Sequence, residues 1–287
     1  MLQGLLTEQK LMTTYRDREV QRFLHLLDMT GEVEHFLAAR TLGVRLLGDF
    51  MLSVNDKPIS SIDMPRLQSL LAYLVLHRGT PQSRSRIAYL LWPDSTDAQA
   101  HTNLRNLLFK LRLSLPEIDT LLVVERQSLC WRPDVLWSLD VQDFERAVAQ
   151  AEQARRTQDQ AMERQALEAA VQCYQGDLLP TCYEDWIQDE RDRLQQIYLG
   201  ALERLIELLK LDGDYVGAIR IAQRLLRLDP LQESTYRQLM RLHAVRGDRG
   251  AVSRIYQACA AVLKRELGIE PGLTTRKTYQ ELMRAED

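Results

Sequence analysis

Residues 102–115, TNLRNLLFKLRLSL, set Leu104, Leu107, Leu108, Leu111 and Leu115 at helical spacing and so draw one apolar stripe along a helix. Thr102, Asn103, Arg105, Asn106, Phe109, Lys110 and Arg112 project away from that stripe. Arginine and asparagine carry paired hydrogen-bonding groups that fit guanine and adenine edges, and a DNA major groove is wide enough to admit one helix. Lysine and arginine neutralise phosphates and release counterions, which supplies most of the affinity for a duplex. Phe109 lies on the same side and is costly to expose. A thymine methyl, a following hairpin or a partner could cover it. Taken by itself, a basic amphipathic helix is more often a solvated surface helix, so the order of the surrounding elements decides between the two.

Further cations follow a similar logic. Arg66, Arg84 and Arg86 fall at or near expected helix N-termini, where backbone N–H groups also favour phosphate. Arg126 sits at the tip of an expected hairpin, placed to enter a minor groove or touch its backbone. Between residues 64 and 115 seven Lys/Arg oppose two Asp, a local charge of +5 in a chain whose net charge is −3, which leaves −8 for the rest. A basic block on an acidic chain points to a local anion-binding surface.

Catalytic constellations are missing from the sequence. It contains no GxxxxGK[ST], GxGxxG, HExxH or GxSxG. No catalytic residue, cofactor or metal is expected, and the chain does not read as an enzyme. Cys130, Cys173, Cys182 and Cys259 are widely spaced with no CxxC pair, as expected of reduced thiols in a cytosolic protein. His77 and His101 are not spaced with any cysteine as metal ligands and read as surface histidines. Trp92 reads as core. The acidic pairs Glu184-Asp185 and Asp189-Glu190 read as solvated helix faces. No cationic and apolar leader opens the chain, and the longest apolar run, LLAYLVL at 70–76, is too short to span a bilayer. A soluble cytoplasmic protein is expected.

The elements that must position these residues follow from punctuation and period. Residues 1–40 form a helical N-terminal arm, with an amphipathic stretch at 18–29, and carry no assignable function. Around 42–59, alternating apolar residues broken at Gly48-Asp49 and Asn55-Asp56 predict a small antiparallel sheet. Pro65 starts a helix at its first position. A second helix opens at Pro81 and Ser83 and ends at Trp92-Pro93. Asp97 is the expected N-cap of the helix over 98–115, which stops before Pro116. Residues 121–133 predict two short strands around a polar tip at Glu125–Ser128. Strands, two helices, a loop, a basic helix and a hairpin describe a winged helix-turn-helix over 41–134.

From Asp140 the pattern becomes helical only, and it repeats. The stretch from 201 matches the stretch from 235 at an offset of 34, pairing Leu205 with Leu239, Gly213-Asp214 with Gly247-Asp248, and Ile221 with Ile255. That offset, with two helices per unit, is the tetratricopeptide spacing. In each unit the glycine closes one helix and the aspartate caps the next. A weaker unit lies within 141–175, and 133–140 reads as a linker. The expected fold is mainly α with a small β component: a winged helix-turn-helix domain followed by an all-α tetratricopeptide-like solenoid over 140–285.

These residues resemble the SARP-type antibiotic regulatory protein family of bacterial transcription activators, which join a response-regulator-type winged helix to a bacterial transcriptional activator domain. The likeness rests on VRLLGDFMLSVND, RLQSLLAYLVLHRGTPQSRSRIAYLLWPD and AHTNLRNLLFKLR in the first half. In the second it rests on LDVQDFERAV, CYQGDLLPTCYEDWIQDERDRL and LKRELGIEPGLTTRKTYQEL, so that it covers about 42–284. The resemblance implies binding to double-stranded promoter DNA, often as two protomers on direct repeats, and recruitment of RNA polymerase through its sigma or alpha subunit. It also implies that the loop before the recognition helix, Pro93, Asp94, Ser95 and Thr96, faces polymerase. The hairpin tip lacks the family's usual Gly-Tyr pair, and the 40-residue arm is not part of the family pattern. The competing expectation is a protein-interaction adaptor whose solenoid binds a partner and whose winged helix is only structural. The +5 block counts against it.

Overall fold

The computed structural model describes residues 42–55, 57–115, 118–132 and 137–284. The arm expected at 1–40 and Pro116 lie outside these. The chain is mainly helical with two small sheets, a winged helix followed by an α-solenoid. Strand β1 (Leu42–Arg45) pairs antiparallel with β2 (Met51–Val54), and β2 pairs with β3 (Lys57–Pro58). Gly48, at φ 97°, lies in the connection between β1 and β2, a backbone conformation that side chains disfavour.

Helix α1 (Pro65–Leu76) carries its proline in the first turn. Strand β4 (Gln82–Ser83) leads into α2 (Arg84–Leu91), where the Ser83 hydroxyl accepts from the Arg86 amide. Helix α3 (Asp97–Ser114) is capped by Thr96, whose hydroxyl accepts from the Gln99 amide at 3.4 Å. Thr96 therefore holds the place expected for Asp97, because its backbone is extended (ψ 152°) while Asp97 already has helical geometry. As the first helical residue, Asp97 instead puts a carboxylate against the positive end of the helix dipole. A single turn, α4 (Ile118–Leu121), precedes the hairpin β5 (Leu122–Val124) and β6 (Ser128–Trp131). β4 joins that hairpin to complete a three-stranded sheet in the order β4-β6-β5.

Seven α-helices follow among the described residues: α5 (Asp140–Arg156), α6 (Gln160–Cys173), α7 (Gln188–Leu211), α8 (Tyr215–Leu228), α9 (Glu233–Val245), α10 (Arg249–Leu267) and α11 (Leu273–Arg284), with one 3-10 turn at Asp185–Ile187 before α7. The first six pair as three helical hairpins that share one turn. A residue in left-handed conformation closes the first helix: Gln158 (φ 59°), Gly213 (φ 74°) or Gly247 (φ 74°). The next residue is an aspartate that caps the second helix, accepting from the amides of Met162, Gly217 or Ala251 at 3.0, 2.8 and 2.8 Å. A Cβ at Gly213 or Gly247 would meet nothing within 4 Å, so backbone conformation rather than crowding calls for glycine there.

The segment read as a linker holds strand β7 (Trp137–Leu139), which pairs parallel with β1 and extends the first sheet to the order β3-β2-β1-β7. The solenoid thus begins inside the sheet of the winged helix. One continuous core runs from Leu42 and Leu46 through Phe144, Tyr174 and Tyr198 to Leu242. Tyr174 and Tyr198 stack at 4.0 Å in its centre. Four polar links cross the same seam. Asp140 accepts from the amides of Leu46 and Leu47, the Gly48 amide donates to the Asp177 carbonyl at 3.0 Å, and the Leu179 amide donates to the Leu46 carbonyl at 2.9 Å. A Cβ on Gly176 would lie 3.1 Å from the Gly48 Cα, tighter than an ordinary contact, so glycine at 176 eases the close approach of the two backbones, while Gly48 is called for by its φ. Arg191 braces the connection before α7 by donating to the carbonyls of Leu178, Leu179 and Cys182.

Candidate nucleic-acid interface

Helix α3 is held from behind. Leu104, Leu107, Leu108, Leu111 and Leu115 are each at most 6% exposed, and burying each leucine contributes about 1.5–3 kcal/mol. His101 is half-buried rather than free at the surface, because its Nε2 lies 3.2 Å from the Ser85 hydroxyl and ties α3 to α2. A helix fixed along one side presents the other as a rigid face.

That outer face brings together Arg105, Asn106, Phe109 and Lys110, all exposed, with Thr102 and Asn103 half-buried beside them. The Thr102 hydroxyl donates to the Ala98 carbonyl at 2.9 Å and accepts from the Arg105 guanidinium at 3.0 Å. The Asn103 side-chain oxygen accepts from the Gln99 side-chain amide at 2.8 Å. Arg105 is thereby braced along the helix while its charge stays at the surface. Arg112 is exposed but bonds the carboxylate of Asp119 at 3.0 and 3.3 Å, so its charge is partly neutralised. Phe109 is 61% exposed, and Leu113, which sequence reasoning did not single out, is 67% exposed one turn further on. Leu113 falls off the leucine stripe, and that displacement was the available signal. The pair makes an apolar ridge in a cationic face, suited to thymine methyls.

The remaining cations divide into two groups. Arg84 bonds the Glu125 carbonyl at 3.2 Å through its side chain and the Gln127 carbonyl at 2.9 Å through its amide. This fastens the start of α2, which carries exposed Arg86, to the hairpin tip, which carries exposed Arg126. Arg66 stands apart. It forms an ion pair with Glu184, whose side chain is only 12% exposed. Glu184 therefore does not belong to a solvated face, since folding brings Arg66 to it from 118 residues away and buries it. The Cys182 thiol also donates to Glu184, at 2.6 Å. Burial and that bond push the Cys182 thiol up to about 11.

In the loop before α3, Pro93 and Asp94 are exposed, Ser95 is half-buried with its amide on the Trp92 carbonyl, and Thr96 is spent on the cap. Trp92 packs against the core. Among the described residues no cluster of His, Cys, Asp or Glu could hold a metal ion, and no helix is long and apolar enough to cross a membrane.

The family described as the bacterial transcriptional activator domain matches residues 139–283, the stretch from the end of β7 through α11. The chain belongs to that family. Curated relatives extend the match into the winged helix. Regulatory protein AfsR of Streptomyces coelicolor is 26% identical over 223 residues, covering 77% of this chain and 22% of AfsR. The transcriptional regulatory protein MoaR1 of Mycobacterium tuberculosis is 25% identical over 259 residues, covering 86% of this chain and 82% of MoaR1. The chain spans about a fifth of the AfsR sequence and most of MoaR1. The fold is similar to that of Mycobacterium tuberculosis EmbR, solved in complex with a low affinity phosphopeptide. The TM-score is 0.67 at 20% identity, with 86% of this chain and 66% of that one covered. That domain and these relatives, named as regulatory proteins, agree with the resemblance to the SARP-type family.

Proposed function

We propose that this chain binds promoter DNA sequence-specifically, laying α3 in the major groove, and activates transcription by contacting RNA polymerase. The observation that carries this is the division of α3 into a buried leucine back and an exposed face of Arg105, Asn106, Phe109 and Lys110. On that face Arg105 and Asn106 read base edges, Lys110 takes phosphate, and Phe109 with Leu113 meets thymine methyls, while Thr102, Asn103 and Arg112 flank them. Arg84, Arg86 and Arg126 supply backbone contacts at the wing end of the domain. Arg66, bound to Glu184, has no part in DNA contact on this proposal.

Pro93, Asp94, Ser95 and Thr96 face the sigma or alpha subunit of polymerase. Two protomers on direct repeats would place two such loops on one side of the promoter. The protein works in the cytoplasm, bound to the nucleoid, and carries out no catalysis. Selection of bound sites from a random DNA pool tests this: a recurrent motif is expected, and recovery of unrelated sequences at the input frequency contradicts it.

A second function, as a protein-binding adaptor, is favoured by one feature. A groove of about 300 Å³ lies between α5, α6 and α7, floored by Ala151, Leu167, Ile197 and Ala201 and edged by the Glu163–Arg204 ion pair. Retention of a protein partner together with an absence of any DNA binding would select that function.

A further inference from the structure

A cleft of about 390 Å³ opens where the winged helix meets the activator domain. One wall comes from α1, α2 and the loop before α3, through Arg66, Tyr89, Pro93 and Asp94. The other comes from the segment between α6 and α7, through Tyr183, Glu184, Asp185 and Trp186. Neither domain alone makes this site.

Three observations fix what would fit. First, the cleft is edged by aromatic rings left in water: Tyr89 is 66% exposed and Tyr183 is 84% exposed. Tyrosines at that exposure are suited to an interface, and their faces attract cations. Second, the charge is one-sided. Arg66 is the only cation lining the cleft and is already paired with Glu184, while Asp94 and Asp185 are exposed with no ion pair among the described residues. Third, the floor is rigid. Glu184 is held by Arg66 and by the Cys182 thiol, and Trp186 is set edge-on against Tyr73 with ring centroids 5.2 Å apart. The Trp186 indole N–H, buried in that floor, finds no hydrogen-bond partner among the described residues.

We propose that this cleft docks a basic amphipathic segment of a partner protein, with lysine or arginine heads on Asp94 and Asp185 and their stems and apolar neighbours on Tyr89 and Tyr183. A site with preset walls loses little entropy on binding, which favours recognition of a short segment. The inference extends the polymerase-facing role proposed for Pro93–Thr96, because it adds Tyr183 and Asp185 of the activator domain to that surface. It does not depend on DNA binding by α3.

The test is fluorescence anisotropy with the full chain and a labelled amphipathic helical peptide carrying lysines and arginines on its polar face. Matched peptides with glutamine or glutamate there serve as controls. Tighter binding of the basic peptide, weakened by salt and reduced roughly tenfold by Tyr183→Ala and by Asp185→Lys, is expected. Equal binding of the basic and glutamine peptides, or basic-peptide binding unchanged in both variants, overturns the proposal. So does concentration-dependent self-association abolished by Tyr183→Ala, which would make a second copy the occupant. Mobility shifts of the same variants on the selected DNA site separate the two claims. Intact DNA binding with lost peptide binding supports the cleft, and lost DNA binding in the unsubstituted chain defeats only the DNA-binding proposal.

Discussion

The Asp140 carboxylate accepts a hydrogen bond from the Leu47 amide at 2.7 Å across 93 residues of sequence, and a second from the Leu46 amide at 2.8 Å. Its other oxygen accepts from its neighbour Val141 at 2.8 Å, at the start of α5. One side chain thus joins the end of the first strand to the first solenoid helix. Burial raises its pKa above the usual carboxylate range, against the pull of those three amides. Asp140→Ala leaves buried amides without an acceptor and is expected to destabilise the protein by about 2–4 kcal/mol. Urea denaturation followed by circular dichroism measures this. Asp140→Asn, which keeps one acceptor, is expected to lose less.

The shared turn of the solenoid makes a prediction in the opposite direction. Gln158 occupies the left-handed position held by glycine in the other two hairpins. Gln158→Gly is expected to stabilise by about 0.5–1 kcal/mol, because relief of the side chain's steric strain exceeds the added chain entropy. Gly213→Ala is expected to cost a similar amount. Thermal melts of the two variants should shift in opposite directions.

The buried thiols should be inert. Cys182 is pushed up to about 11 by burial and by its bond to Glu184, and Cys259 to about 11 by burial. The thiolate is the nucleophile, so at pH 8 each is almost wholly in its unreactive form. Iodoacetamide labelling followed by mass spectrometry should modify half-buried Cys130 well before Cys182 and Cys259, with Cys173, half-buried but itself pushed up by burial and by Asp143 and Asp140, labelled more slowly than Cys130. Glu184→Gln removes a carboxylate that holds the Cys182 proton and should make that thiol easier to label.

Arg84 acts on every sequence alike if it touches only phosphate. Arg84→Ala is expected to weaken binding to specific and random DNA by the same factor and to reduce the salt slope by about 1. Binding isotherms across a series of salt concentrations check this.

Much of this was legible in the chain because it is local. Leu104 to Leu115 announce α3 by period alone, and Gly213-Asp214 against Gly247-Asp248 announces the paired turns. What was not legible depends on residues distant in sequence. Strand β7 is three residues long and acquires meaning only by pairing with β1, with Leu139 opposite Val44. Glu184 reads as one more surface acid until Arg66 is folded against it. Thr96 and Asp97 are both good caps, and only the backbone angles choose between them. The cleft between Tyr89 and Tyr183 joins two domains and has no signature in either.

The central claim is that the exposed face of α3 reads bases. Mobility shifts with Arg105→Ala and Asn106→Ala, on a selected site and on random DNA, test it most directly. Each substitution is expected to cost about 1–3 kcal/mol on the selected site and much less on random sequence. Equal losses on both, or no loss on either, would contradict it.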